Sequence, residues 1–331
     1  MSKGYPNLGN TCYMNSALQC LSHIPLLRHD CDELLVDIKK RSSRNDYKLM
    51  EEWLSLQKNI WNKEKTGIVS TKNLLIEFIK RCKNENIYFE SFDQNDTTDF
   101  LNTFMDLLHG SIKRKVNIQI NGTPKSKYDE LKVESINSWK KFFEDDYSHI
   151  IKNFYSQLLS LTSCPNCDYL ASNHEPIMTI TLTLKPQYKT LYDCLDELVR
   201  EEVLDTNNEW KCEKCKNKVK PHKKLNFWNL SDVLILSIKQ FRKNGKLNNH
   251  IDFPEILEMK KYTISSKKIT TYDLCGICIH SGGLSGGHYY AICKDYETNK
   301  WNIYNDSSVS ETTIDSFKTE NPYCLFYTKK E

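Results

Sequence analysis

The sequence predicts an α+β fold, because helical periodicity fills roughly the first 110 residues, β patterns dominate from about Phe154, and one helix-like stretch interrupts the strands. At 331 residues the chain is long enough for one large or two average domains around a sizeable core. The first helix starts in NLGNTCYMNSALQCL, which begins at Asn7. Asn10 and Thr11 are N-cap types, and Met14, Ala17, Leu18 and Leu21 follow at the i, i+3, i+4, i+7 spacing of a helix with one buried face. YKLMEEWLSLQKNIW from Tyr47 and TKNLLIEFIKRC from Thr71 read as further helices. In TTDFLNTFMDLLHG from Thr97, Phe100, Leu101, Phe104, Leu107 and Leu108 recur at helical spacing before Gly110, a C-cap type. Residues 110–137 are polar and basic around Gly122-Thr123-Pro124 and read as a mobile loop insertion. MTITLTL from Met178 alternates with period two, and DVLILSI from Asp232 is the continuous apolar run of a buried strand. YDLCGICIH from Tyr272, HYYAIC from His288, WNIY from Trp301 and YCLFY from Tyr323 continue the strands, and YDCLDELVREE from Tyr192 is the helical interruption.

With 39% apolar and 27% charged residues and a net charge of +3, the chain is globular and too balanced to imply a nucleic-acid or membrane partner by charge alone. MSKGYPNLGN lacks the apolar core of a signal peptide, and no run approaches the ~18 apolar residues of a membrane span. A soluble, intracellular protein of cytoplasm or nucleus is expected. Thirteen cysteines without a signal peptide favour reduced thiols, metal ligands or catalysis over a disulfide framework.

Cys12 falls in the first turn of its helix. Unpaired backbone N–H groups and the helix dipole there are expected to lower its pKa from about 8.5 toward neutrality. The other reading is a half-buried cysteine of an amphipathic helix, and a partner base decides between them. HYYAICKD and KWNIYND flank the polar turn Tyr296-Glu297-Thr298-Asn299 and read as a hairpin. A turn centred between Tyr296 and Glu297 pairs His288 with Asn305, with Cβ atoms about 5 Å apart, and points Asp306 the other way. A one-residue slip would exchange Asn305 and Asp306. Cysteine, histidine and an Asn or Asp orienter are what thiol-dependent acyl transfer needs; otherwise His288 merely ends a strand after a glycine loop.

Two C-x-x-C pairs, Cys164/Cys167 and Cys212/Cys215, enclose turn-forming or polar residues and fit a four-thiolate structural zinc site. Chance alone predicts about 0.5 such pairs in this composition, and three are present. The third, Cys275/Cys278, lies in an apolar strand where i and i+3 point to opposite faces, so it reads as core. KCEKCKNKVKPHKK from Lys211 leaves a nucleic-acid ribbon as the competing reading. A solvated basic face is commoner, and no aromatic platform is interleaved.

Taken together, these segments resemble the ubiquitin-specific protease family of deubiquitinating enzymes, which are papain-like cysteine peptidases. NLGNTCYMNSALQCL is similar to the family's cysteine box, FDQNDTTDFLNTFMDLLH to its glutamine and aspartate box, and YDLCGICIHSGGLSGGHYYAICKD with WNIYNDSSV to its histidine box. NFYSQLLSLTSCPNC, HEPIMTITL, DVLILSIKQF and HIDFPEIL stand between them in the family's order, so the resemblance runs from about Gly4 to Tyr327. It implies a helical thumb at about 1–145, zinc-ribbon fingers at about 150–185 and 205–230, and a β-sheet palm at about 186–204 and 231–331. Cys12 would face the palm across a cleft.

The resemblance makes Cys12 the nucleophile and His288 the general base, with Asn305 as orienter and Asp306 as the adjacent acid. Asn7 becomes the oxyanion donor alongside the Cys12 N–H. The implied reaction is hydrolysis of the isopeptide bond between the ubiquitin C-terminal glycine and a lysine, with structural zinc and no catalytic cofactor. Asp96 and Asp99 fall where the family places acids that contact the basic ubiquitin tail, although Asp96 is equally suited to capping the helix from Thr97. Gly282, Gly283, Gly286 and Gly287 are expected to form a flexible loop over that tail, or else a plain surface hairpin. Ubiquitin and ubiquitinated proteins are the implied partners, with no membrane and no nucleic acid. With nothing seen appended to either end to address the enzyme, either a partner protein supplies targeting or specificity is broad. A protease for a ubiquitin-like modifier and a non-catalytic ubiquitin-binding protein are the alternatives.

Overall fold

A computed structural model describes residues 3–27, 44–64, 67–89, 93–205, 209–243, 245–264, 270–283 and 286–330. Its helices are α1 (Cys12–Ser22), α2 (Arg44–Ile60), α3 (Lys72–Asn84), α4 (Thr97–Ile112), α5 (Lys127–Phe143), α6 (His149–Phe154), α7 (Leu191–Leu198) and α8 (Ile314–Phe317). The strands before the main sheet's centre are β1 (Ser156–Ser163), β2 (Leu170–Ile177), β3 (Thr179–Thr183), β4 (Glu202–Val203), β5 (Trp210–Lys211), β6 (Lys218–Val219) and β7 (His222–Asn229). There follow β8 (Val233–Lys239), β9 (Phe241–Arg242), β10 (Gly245–Lys246), β11 (Ile256–Glu258), β12 (Thr271–Gly283), β13 (Gly286–Lys294), β14 (Trp301–Asn305), β15 (Ser308–Thr312) and β16 (Pro322–Lys329).

The α+β expectation holds, with the helices first. Every residue of α1 is buried, not one face alone, because the helix lies between α4 and the strands β12 and β13. Some of its polar groups are paired: the Gln19 amide donates to the Lys3 carbonyl at 2.9 Å and Ser16 to the Tyr13 carbonyl at 2.9 Å. The eight-stranded sheet runs β15-β14-β13-β12-β16-β8-β3, with β11 added to β12. DVLILSI supplies β8, which is sealed between β16 and a parallel β3. The alternation of MTITLTL buries Ile180 and Leu182 of β3 and leaves its threonines outward. A second, four-stranded sheet runs β2-β1-β7-β4. Strand β3 lies within the 150–185 stretch expected in the fingers but belongs to the large sheet. Strand β4 lies in the 186–204 palm stretch but pairs with β7.

The segment read as a loop through residue 137 is half helix. Ser126 caps α5 by accepting from the Asp129 N–H at 3.1 Å, and the Asp129 carboxylate accepts from Ser126 Oγ at 2.8 Å and the Lys125 N–H at 3.1 Å. Acids fill its first turn and lysines its last, as the dipole favours. It shows little apolar periodicity because it packs on the exposed strand β2 through polar contacts such as Ser138 to the His174 carbonyl at 2.5 Å.

The β13–β14 hairpin is two residues away from the expected register. Ala291 pairs with Tyr304 and Lys294 with Trp301, since the turn closes through Asp295 N–H to Lys300 O at 2.9 Å and the left-handed Asn299, φ 57°. A two-residue shift preserves every side chain's face, whereas a one-residue slip would invert them all. Asn305 therefore stays on the His288 face, diagonal to it and not opposite.

Candidate active site

Gly9 (φ 105°) and Asn10 (φ 53°) turn the chain in left-handed conformations just before α1. Thr11 occupies the N-cap position without capping, because its Oγ1 accepts from the Leu8 N–H at 2.9 Å. The first-turn N–H groups thus keep no side-chain acceptor from their own cap, and Cys12 sits among them at 5% exposure. Burial pushes its thiol upward, the Asp306 charge adds to this, and the Tyr289 and Tyr13 backbone N–H groups oppose it without prevailing. The expected drop toward neutrality is therefore overturned: the desolvation cost of a thiolate exceeds the pull of the helix start.

His288 stands on β13, the strand against which α1 packs. Its Nε2 donates to Asn305 Oδ1 at 2.6 Å. The acceptor fixes the neutral ring as the Nε2–H tautomer and leaves the Nδ1 lone pair for a proton. Asp306 is elsewhere. It adopts φ 50° in the tight turn from β14 to β15, where Oδ2 accepts from Asn7 Nδ2 at 2.9 Å and Oδ1 from Asn15 Nδ2 at 2.8 Å. Asn7 is held at its other end too, with Oδ1 accepting from the Gly9 and Thr11 N–H groups at 3.1 Å each. Its amide carries a second hydrogen besides the one given to Asp306. The turn itself is pinned by Tyr5 N–H to Asp306 O at 2.9 Å. A Cβ on Gly4 would lie 2.5 Å from that carbonyl, so only glycine allows the approach. Asn15 was not singled out from the sequence; one turn after Cys12, it lies on the same helix face, and that spacing is the signal.

Asp96 caps α4, with Oδ1 accepting from the Thr98 N–H at 2.6 Å and the Asp99 N–H at 3.4 Å, while Oδ2 accepts from the Tyr323 hydroxyl. Asp99 is exposed and makes no ion pair among the described residues; partial burial and the neighbouring Asp96 charge raise its carboxyl above the ordinary range. The four glycines do not form an open loop. Gly282 pairs with Gly287 and Gly283 with Gly286 at the closed end of the β12–β13 hairpin, while Leu284 and Ser285 lie outside the described residues. A Cβ on Gly287 would fall 2.2 Å from His280 Nε2. Two residues missed from the sequence brace this end: Lys246 donates to the His280 carbonyl at 2.6 Å and to His280 Nδ1 at 2.8 Å. Gln94 reaches the Gly287 carbonyl at 3.4 Å.

The Sγ atoms of Cys164, Cys167, Cys212 and Cys215 all lie within 4.8 Å of one another, with Cys164–Cys215 at 3.8 Å and Cys167–Cys212 at 3.6 Å. Zn–S bonds of about 2.3 Å in a tetrahedron require S···S separations near 3.8 Å, so the donor set fits zinc. The knuckle backbone is formed by Cys164 N–H to Tyr169 O and Cys212 N–H to Asn217 O, each 3.0 Å, with Tyr169 stacked on Trp210. Cys275 and Cys278 are core, as expected: both are buried, and Cys278 Sγ touches Cys20 Sγ at 3.6 Å. No helix of the described residues is long and apolar enough to cross a membrane.

A family model described as ubiquitin carboxyl-terminal hydrolase matches residues 3–327. Ubiquitin carboxyl-terminal hydrolase 2 of Bos taurus is 32% identical over 338 residues, covering 98% of this chain and 54% of the relative. The Homo sapiens protein of that name is 31% identical over 335 residues, with the same 98% and 54%. The chain spans about half the length of these curated relatives. Among solved structures, the SAGA Ubp8/Sgf11/Sus1/Sgf73 DUB module bound to ubiquitin aldehyde superposes with a TM-score of 0.77 at 27% identity, covering 99% of this chain and 70% of that one. With these matches running the length of the fold that carries Cys12, His288 and Asn305, the chain belongs to the ubiquitin carboxyl-terminal hydrolase family.

Proposed function

We propose that the chain is a thiol-dependent deubiquitinase that hydrolyses the isopeptide bond between the ubiquitin C-terminal glycine and a lysine of a target protein or of another ubiquitin. The observation that carries this is the 2.6 Å bond from His288 to Asn305, on the strand that packs against the helix beginning at Cys12. His288 Nδ1 takes the Cys12 proton as sulfur attacks the glycine carbonyl, and Asn7 Nδ2 and the Cys12 N–H receive the oxyanion. The imidazolium then gives its proton to the leaving lysine amine, forming a Cys12 thioester. Water, deprotonated by His288, cleaves the thioester to a carboxylate and returns the proton to the thiol.

Asp99, with the capped Asp96 behind it, offers negative charge to the basic ubiquitin tail, which lies along Gly286 and Gly287. Zinc held by Cys164, Cys167, Cys212 and Cys215 would staple the tip of the four-stranded sheet, the fingers of this reading, with the helices as thumb and the large sheet as palm. Ubiquitinated proteins of the cytoplasm or nucleus are the substrates of this reading. A ubiquitin bearing a C-terminal electrophile is expected to label wild type and not Cys12→Ala, and His288→Ala is expected to abolish hydrolysis of ubiquitin–aminomethylcoumarin. Equal labelling of wild type and Cys12→Ala would sink the assignment; labelling only of a ubiquitin-like modifier would change the substrate.

A further inference from the structure

Helix α3 carries apolar surface beyond its buried face. Leu74, Leu75, Phe78 and Cys82 are buried in the core, Ile79 is half-buried at its edge, and Ile76 is 52% exposed. With Leu75 and with Leu8 from the loop before Cys12, these isoleucines floor a groove of ≈ 570 Å³. Lys72, Lys80 and Lys83 form its rim. Lys80 is shared with Glu77 at 3.5 Å, while Lys72 and Lys83 are exposed and make no ion pair among the described residues. Leu8 directly follows Asn7, and its N–H donates to Oγ1 of Thr11, the residue before Cys12, at 2.9 Å, so one edge of the groove is built from the segment that leads into the candidate active site.

We propose that this groove receives the protein that carries the scissile lysine, through an acidic segment bearing at least one large apolar side chain. The inference rests on the deubiquitinase reading above, under which two proteins meet at Cys12. A lysine rim repels the basic ubiquitin tail and is complementary to acids, whereas the acids available to the tail, Asp96 and Asp99, stand at the start of α4. The apolar floor supplies the contact area that rim charges lack, since exposed charge pairs contribute little by themselves.

Two measurements on the full chain test this. A fluorescein-labelled peptide of alternating Glu and Leu blocks is expected to bind by anisotropy, more weakly at high salt, and about tenfold or more weakly to Ile76→Asp and to Lys72→Glu/Lys83→Glu. The same peptide with Lys for Glu is expected not to bind. Absent binding, equal binding of both peptides, or unchanged binding by the variants overturns the groove. In the second measurement, the variants are expected to lower kcat/KM about tenfold for ubiquitin joined by an isopeptide bond to a lysine of the Glu/Leu peptide, and to leave ubiquitin–aminomethylcoumarin hydrolysis unchanged. Equal effects on both substrates, with wild type active, reject the groove alone. A wild type inactive on both rejects the deubiquitinase reading, and this occupant with it.

Discussion

Asn305 and Asp306 are adjacent in the chain yet serve different partners: Asn305 holds His288, and Asp306 holds Asn7 and Asn15. Their substitutions should therefore have different signatures. Asn305→Ala frees the ring to adopt either tautomer, so kcat/KM is expected to fall. Asp306→Ala leaves the ring held and loosens Asn7, so it is expected to lower kcat. Under the proposed mechanism Asn7→Ala removes an oxyanion donor outright, and a loss of about 10²–10³ in kcat is expected. If Asp306 acts through Asn7, the Asn7→Ala/Asp306→Ala double variant is expected to be scarcely worse than Asn7→Ala. Strictly additive losses in steady-state hydrolysis would reject that coupling. The sequence left Asn305 and Asp306 open to a one-residue slip; its hairpin pairing favoured Asn305, and that parity survives the two-residue shift of the turn that the structure shows. The contact from Asp306 to Asn7 was not, because it joins positions almost 300 residues apart in the chain. The Cys12 pKa was misjudged for a related reason: the helix start is a local signal, but the burial that outweighs it comes from the packing of β13 on α1.

The β12–β13 hairpin is the element that sets where His288 stands, and its closed end is tightly filled. A methyl group at position 287 would overlap His280 Nε2 at 2.2 Å and approach the Ser281 carbonyl at 2.7 Å, so Gly287→Ala must displace the backbone next to the base. A misplacement of about 1 Å costs roughly 10² in rate, which is the loss expected in ubiquitin–aminomethylcoumarin turnover. His280→Ala is expected to restore part of it by vacating the ring; no recovery in the double variant would place the damage elsewhere. His280 also gives the hairpin a pH dependence. Burial, then the Lys246 charge and the His288 ring, lower its pKa to about 4, against the opposing pull of Asp96. The folded state then binds fewer protons than the unfolded state between pH 4 and the unfolded value of 6.5. Stability from this group is complete above that unfolded value and is lost as pH falls toward 4. Denaturant midpoints at pH 7 and pH 5 should differ less in His280→Phe than in wild type; an unchanged difference would show that His280 is not the group titrating. Neither feature was legible beforehand, since the glycines read as a flexible loop and Lys246 lies outside every motif. In contrast, DVLILSI and MTITLTL were legible as strands because their burial pattern follows directly from composition.

At the scale of the whole molecule, two large apolar clusters lie on opposite faces of the eight-stranded sheet. One joins α1 to α4 with Cys278, Tyr289 and Ala291, and the other joins α7 with Ile277, Ile279 and Ile292. The cysteine knuckle forms a third, small cluster of Cys164, Cys212 and Val219 that shares no side chain with either. A cluster that small cannot offset the chain entropy of ordering its loops, so metal is what would hold it. Cys12 belongs to the first large cluster, and neither large cluster contains a knuckle cysteine. Cys212→Ser is therefore expected to abolish zinc binding, leave the main thermal transition within a few degrees, and keep kcat on ubiquitin–aminomethylcoumarin within about threefold, while KM rises about tenfold as the surface expected to cradle ubiquitin is lost. Elemental analysis should give one zinc per wild-type chain and none in the variant. If kcat and the main transition fell together, the knuckle would be coupled to the sheet; zinc retained in the variant would remove Cys212 from the ligand set.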